Sequence, residues 1–226
     1  MLNYVAILLL VLAFKEPKSE EESKGQSHIS YGEILKQAIS IMRARPALRY
    51  AMLYLTVVPL AAVAMETVFL QPQAIALGIP LAGVGVVIMA AQFSNMAGAT
   101  ISYRVKEGFG ETQIIYLAPY LIATSLFFLG LFQQLPALFF AAAISFFTAL
   151  IRPVVMTRIQ NEVSDSVRAT IISMQSLIFA FVIAFIEPLL GYVADLRGLP
   201  AAYYLLAGGL VFILLLLFWR SRTRFP

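Results

Sequence analysis

Six apolar runs of about 20 residues each occupy most of this 226-residue chain and leave it few ways to fold. They lie near 50–70, 80–103, 113–132, 135–157, 169–193 and 201–219, and a shorter run covers 2–14. A helix rises 1.5 Å per residue, so about 20 residues cross the ~30 Å hydrocarbon core of a bilayer. Soluble domains are roughly half apolar and a quarter charged; here the fractions are 61% and 12%. A soluble core can bury an apolar helix, but not six of this length in one short chain. The expected class is all-α integral membrane: a six-transmembrane-helix bundle over 48–219.

The charges orient that bundle. Let the spans alternate across the bilayer, so that the connections 15–49, 104–112 and 158–168 and the tail 220–226 share one face. That face collects Lys15, Lys18, Lys24, Lys36, Arg43, Arg45, Arg49, Arg104, Lys106, Arg158, Arg168, Arg220, Arg222 and Arg224, fourteen of the sixteen Lys and Arg. The other face holds Arg197, and Arg152 lies inside an apolar run. Basic loops stay cytoplasmic during insertion. The expectation is a multi-pass protein of the cell membrane with a cytoplasmic C-terminus.

Met1–Phe14 reaches only about 21 Å at the helical rise and reads as a partial transmembrane helix. It lacks the basic start and small-residue cleavage site of a signal peptide. Residues 15–47 read as a cytoplasmic linker. Its first part, KEPKSEEESKGQSHIS, is too polar to repay ordering entropy. Ile34, Leu35, Ala38, Ile41 and Met42 then recur at helical spacing, which predicts a short helix on the membrane surface over 31–45, ended by Pro46. The chain has no Cys and a single His, His28, so no disulfide, thiol chemistry or metal site is expected. No hydrolase triad, phosphate loop or heptad is present, which argues against an enzyme or an ATP-driven pump. No cofactor is expected either, and the net charge of +4 reflects loop topology rather than affinity for nucleic acid.

Gly98 and Arg104 close the second span, and Gly191 and Arg197 close the fifth at the same spacing but on the opposite face. Two three-helix units of opposite orientation would produce that arrangement, as would coincidence.

The stretch NEVSDSVRATIISMQSLIFAFVIAFIEPLLGYVADLRG, residues 161–198, resembles the tenth-to-eleventh-helix region of the major facilitator superfamily. Asn161, Arg168-Ala169-Thr170 and Ser173, then Pro188-Leu189, Gly191, Ala194-Asp195 and Arg197-Gly198, are similar to its drug-efflux-like members. GATISYRVKEGFG, 98–110, resembles a worn copy of the loop motif after the eighth helix, with Ser102 in place of an acid. The resemblance implies the C-terminal half of a twelve-helix transporter, from the end of helix 6 through helix 12, with a 3+3 inverted repeat. It implies secondary active transport by alternating access, here as a half or truncated chain: efflux or antiport of a small amphipathic molecule, with a missing N-terminal half or a homodimer as partner. The rival from another class is a non-transporting membrane subunit, an interaction module or an inactive fragment.

Ionisable groups inside spans are costly and usually functional. Glu66 and Glu187 are the carboxylates so placed. Counting from Leu48 and Arg168 puts them about 27 and 28 Å along their spans, in the outer third. They are either proton carriers or hydrated structural residues at the interface. Arg152, beside Pro153, falls some 25 Å along the fourth span. It either snorkels to the inner interface, meets a substrate anion or bridges to a helix of the missing half, and its depth argues against a bridge to either glutamate. Gln92 and Asn95 share a face near mid-bilayer and either glue helices or line a cavity. On the fifth span Gln175 is the cavity candidate, while Ser173, Ser176, Ala180, Ala184 and Gly191 form a small-residue stripe that predicts close helix packing. The third and sixth spans should face lipid, with Tyr203, Tyr204 and Trp219 as interface anchors. Arg104, Arg158, Glu162, Asp165 and Arg168 are candidates for a cytoplasmic gate, Asp165 doubling as an N-cap.

Overall fold

The computed structural model of the protein describes residues 31–221, and these are helical almost throughout. The partial span 2–14, the polar part of the linker (15–30) and the residues beyond 221 lie outside the described residues. A short helix α1 (Tyr31–Ala44) precedes α2 (Pro46–Ala76), α3 (Leu81–Phe109), α4 (Glu111–Leu131), α5 (Leu135–Asn161), α6 (Asp165–Arg197) and α7 (Leu199–Ser221). Six of these helices, α2 to α7, are long and apolar enough to cross a membrane, as expected of a multi-pass membrane protein. Helices suit that medium because every backbone donor finds its acceptor within the segment.

Connections are too short for anything but antiparallel neighbours. Gly110 alone separates α3 from α4, and Gly198 alone separates α6 from α7, both with φ of +83°. That left-handed backbone is open to glycine at little cost. Two ends result: a basic end, where residues 44–46, 109–111 and 161–165 meet, and an opposite end at 77–80, 132–134 and 198.

In the bundle α2 packs on α5, α3 on α5, α6 on α2, and α4 and α7 pack on each other behind them. α1 leans on α6 and α2, burying Ala38 and half-burying Ile41 and Met42. The apolar windows of α2, α4 and α5 are 56%, 56% and 50% buried, against 17% for α3 and 11% for α6. The bundle therefore has a floor of α2 and α5 flanked by two sparsely covered helices. The third span, expected to face lipid, packs on α5 and α7 along one side and keeps Leu117, Phe127 and Leu131 exposed on the other. Gly130 lets α7 come close. A Cβ there would lie 2.9 Å from the Tyr204 ring and 3.3 Å from the Pro200 carbonyl. Tyr203, expected as an interface anchor, is fully buried, edge-on to Phe69 with centroids 5.5 Å apart. Tyr204 is exposed, and the side chain of Trp219 lies outside those described.

Prolines inside the spans leave carbonyls without their usual helical donor. Pro59 withdraws the N–H that would serve Leu55, and Gln175 Nε2 of α6 donates to that carbonyl at 3.3 Å. Pro119 does the same to Ile115, and the buried Tyr54 hydroxyl of α2 donates there at 2.8 Å. In both cases a side chain of a neighbouring span replaces the missing donor, which is how spans tolerate proline.

Candidate functional site

Glu66 sits on a single π-helical turn, Met65–Phe69, inserted in α2 just before Pro72. Pro72 has no N–H to continue the regular ladder, and the turn widens so that the Leu70 N–H donates to the carbonyl of Met65. Such turns re-aim the side chains they carry and recur at functional sites. Two adjacent residues, Glu66 and Thr67, are presented from it toward different neighbours.

Glu66 receives the Ser145 hydroxyl of α5 at 2.5 Å on Oε1 and the Gln92 amide of α3 at 3.2 Å on Oε2. The first distance is in the range of hydrogen bonds to an ionised oxygen. Thr67 reaches the other way, its Oγ1 lying 2.7 Å from the Val63 carbonyl and 2.7 Å from Glu187 Oε1 of α6. A hydroxyl carries one proton and cannot donate to both. Its single proton serves either the Val63 carbonyl or the Glu187 carboxylate, so the bond to α6 competes with one inside α2.

The four spans meet here in one layer. Glu66 and Glu187 lie ten residues before the ends of α2 and α6 at Ala76 and Arg197. Gln92 and Ser145 lie eleven and ten residues after the starts of α3 and α5. At the helical rise the layer is about 15 Å from that end and about 24–33 Å from the basic end, so it lies nearer the former.

Arg152 lies nine residues from the basic end of α5 at Asn161. It shares a small cavity of about 110 Å³ with Leu55, Pro59 and Val63 of α2, Met156 of α5, and Gln175, Ser176 and Phe179 of α6. It makes no ion pair or hydrogen bond with a described residue, and neither glutamate bridges to it. Thr148, one turn from it on α5, is buried with its hydroxyl unpaired. Asn95 is half-buried beside Gln92 but outside the hydrogen-bonded layer.

At the basic end Glu111 pairs with Lys106 at 2.7 Å and Arg158 at 3.6 Å, Arg45 pairs with Glu162, and Arg168 with Asp165 at 2.6 Å. Ser164 is the N-cap of α6, with extended backbone, and Asp165 is its first helical residue. The cap falls one residue earlier than expected, because Asp165 already has helical geometry. Arg104 is exposed and apart from these pairs. Glu111 and Arg45 were missed as partners. Their signals were local: an acid opening a span after Gly110, and a basic residue just before Pro46. The small-residue stripe of α6 does not pack against the bundle, since Ser173, Ser176, Ala180 and Ala184 are exposed. Ser145 and Thr67 were also missed, since neither hydroxyl stands out until its helix is set against a carboxylate.

No protein-family model, curated protein or solved structure matches this chain.

Proposed function

We propose that this chain is one six-span bundle of a secondary active transporter of the major facilitator type. Its coupling is to protons, and its substrates are small amphipathic compounds. One observation carries the reading: carboxylates and their donors from α2, α3, α5 and α6 converge in one layer within the spans, between the two least covered helices of the bundle. Ionisable side chains at that depth are expensive, and a bundle serving only as an anchor has no use for them. Glu66, with two donors, has the partners of an ionised carboxylate. Glu187, held by one hydroxyl that it shares with the Val63 carbonyl, is the less firmly held acid and takes the role of proton carrier. Two acids in adjacent but unlike surroundings are a means of dividing such roles.

Packing supports a 3+3 organisation. Exchanging α2, α3 and α4 for α5, α6 and α7 turns the contacts α3–α5, α4–α5 and α3–α4 into α6–α2, α7–α2 and α6–α7, all of which exist. The contacts α2–α5 and α4–α7 map onto themselves, and the single-glycine joints at Gly110 and Gly198 exchange places. Transport by alternating access then requires a second bundle facing α3 and α6, either another copy or a separate half. The ion pairs of Arg45, Lys106, Glu111, Arg158 and Glu162 serve as its cytoplasmic gate, placed inside by the positive-inside rule.

The test is reconstitution in liposomes with an imposed pH gradient and a panel of amphipathic dyes. Gradient-dependent dye movement should vanish in Glu187→Gln and Glu66→Gln while the amount of inserted protein holds. Movement unaffected by both substitutions would remove proton coupling at this layer.

A further inference from the structure

The arginine cavity is separate from the carboxylate layer, and its chemistry points to a different ligand. Arg152 is seven residues from Ser145 on α5, about 10 Å along the axis toward the basic end. No described carboxylate pairs with it, although the basic end pairs three of its arginines. A guanidinium offers five donors in a fork that fits a carboxylate or phosphate. Ser176 stands on the same wall, and Gln175 is held in place by its bond to the Leu55 carbonyl that Pro59 vacates. The remaining lining is apolar: Leu55, Val63, Met156 and Phe179. At ~30 Å³ per water, the cavity of about 110 Å³ holds three or four waters, the size of an anionic headgroup rather than a whole amphiphile. It opens beside the exposed face of α6, where Ser176 and Leu177 leave room for an apolar tail.

We propose that Arg152 forms an anion-recognition site for the carboxylate or phosphate group of an amphiphile, whose tail lies along the exposed face of α6. The site rests on the transporter reading only for its use in transport; binding is measurable without it.

The experiment uses the purified chain in neutral detergent with radiolabelled laurate and dodecyl phosphate. Dodecanol and dodecyltrimethylammonium are the uncharged and cationic controls. The two anions should bind about tenfold or more tightly than either control, the scale of one charge-assisted contact. Arg152→Gln should bring anions and dodecanol level, and Arg152→Lys should keep part of the preference, since it keeps the charge but loses the fork. Size-exclusion profile and helical circular dichroism establish that the variants are folded. An unchanged anion preference in folded Arg152→Gln, or a preference for the cation, overturns the site. Nanodiscs separate two sources of the same chemistry. Phosphatidylglycerol that displaces laurate from the wild type, compared with phosphatidylcholine, assigns the site to a lipid headgroup; no displacement assigns it to a free amphiphile. Both results uphold Arg152 as the anion ligand. Anion binding without gradient-driven transport would end the transporter reading and leave the site standing, whereas transport with no Arg152-dependent binding would do the reverse.

Discussion

α3 and α6 are the two least covered spans, and both carry a glycine six residues before an arginine, yet they are seated by different physics. On α3, Gly98 is pressed against α5: a Cβ there would lie 2.2 Å from the Phe146 carbonyl oxygen and 3.0 Å from its carbon. On α6, Gly191 has open space where a Cβ would go. α6 is held to α2 by side-chain hydrogen bonds instead, Gln175 to the Leu55 carbonyl and Thr67 to Glu187. Backbone contact through glycine is stiff, because any parting of the helices loses dispersion over the whole close approach. Polar clasps depend on single contacts, and on α6 they supplement a small apolar anchor of Val167, Ile171 and Leu190. The difference teaches which wall of the open face is a fixture and which one is free to move.

The comparison breaks most easily at Gly98. Gly98→Val should cost about 3 kcal/mol, since the Cβ meets backbone that cannot step aside. Unfolding by dodecyl sulfate in mixed micelles measures it. A change within about 0.5 kcal/mol, the scale of ordinary surface substitutions, would show α3 to be as loosely seated as α6. Next in size is Gln175→Leu, which leaves the Leu55 carbonyl without a donor at a cost of about 1–2 kcal/mol. The same titration reads it, and Pro59→Ala in the same chain should recover much of the loss by restoring the helix donor.

Glu187→Ala should cost about 1 kcal/mol or less, in line with single interhelical hydrogen bonds in membranes. Its sharper sign is motion. Spin labels on Ser173 and Ser40 should report a broader α6–α1 distance distribution than in the parent chain, while Glu187→Gln should keep the narrow one. An equally narrow distribution in Glu187→Ala would mean that the Thr67 clasp holds nothing. The smallest effect belongs to Gly191→Ala. With no neighbour to strike, it should be neutral or stabilising by up to about 1 kcal/mol through helix propensity, the opposite sign to any substitution at Gly98. Strong destabilisation would place another surface against α6.

How much could be read from residues alone is clearest at these positions. The six spans and the short helix at 31–44 follow from apolar runs and spacing, because membrane thickness and helical rise are fixed lengths. Glu66, Glu187, Gln92, Arg152 and Gln175 stand out for a similarly local reason, since each is a costly group in a largely apolar run. The far end of α2 was less legible. The apolar run ends near 70, but the helix passes Pro72 through a π turn, and hydropathy does not register such a turn.

Partnership was not legible at all. Nothing in the chain near Pro59 or Pro119 says that Gln175 and Tyr54, more than sixty residues away in each case, supply the missing donors. Nothing near Gly98 and Gly191 says that only one of them is pressed against backbone. Local composition determined that this chain makes long apolar helices, with a basic end and a few ionisable groups within the spans. Tertiary structure alone decided which helix faces bury one another, because apolar side chains suit lipid and protein interior almost equally. Hydrogen bonds and close glycine contacts break that tie, and they depend on distances between residues far apart in the chain.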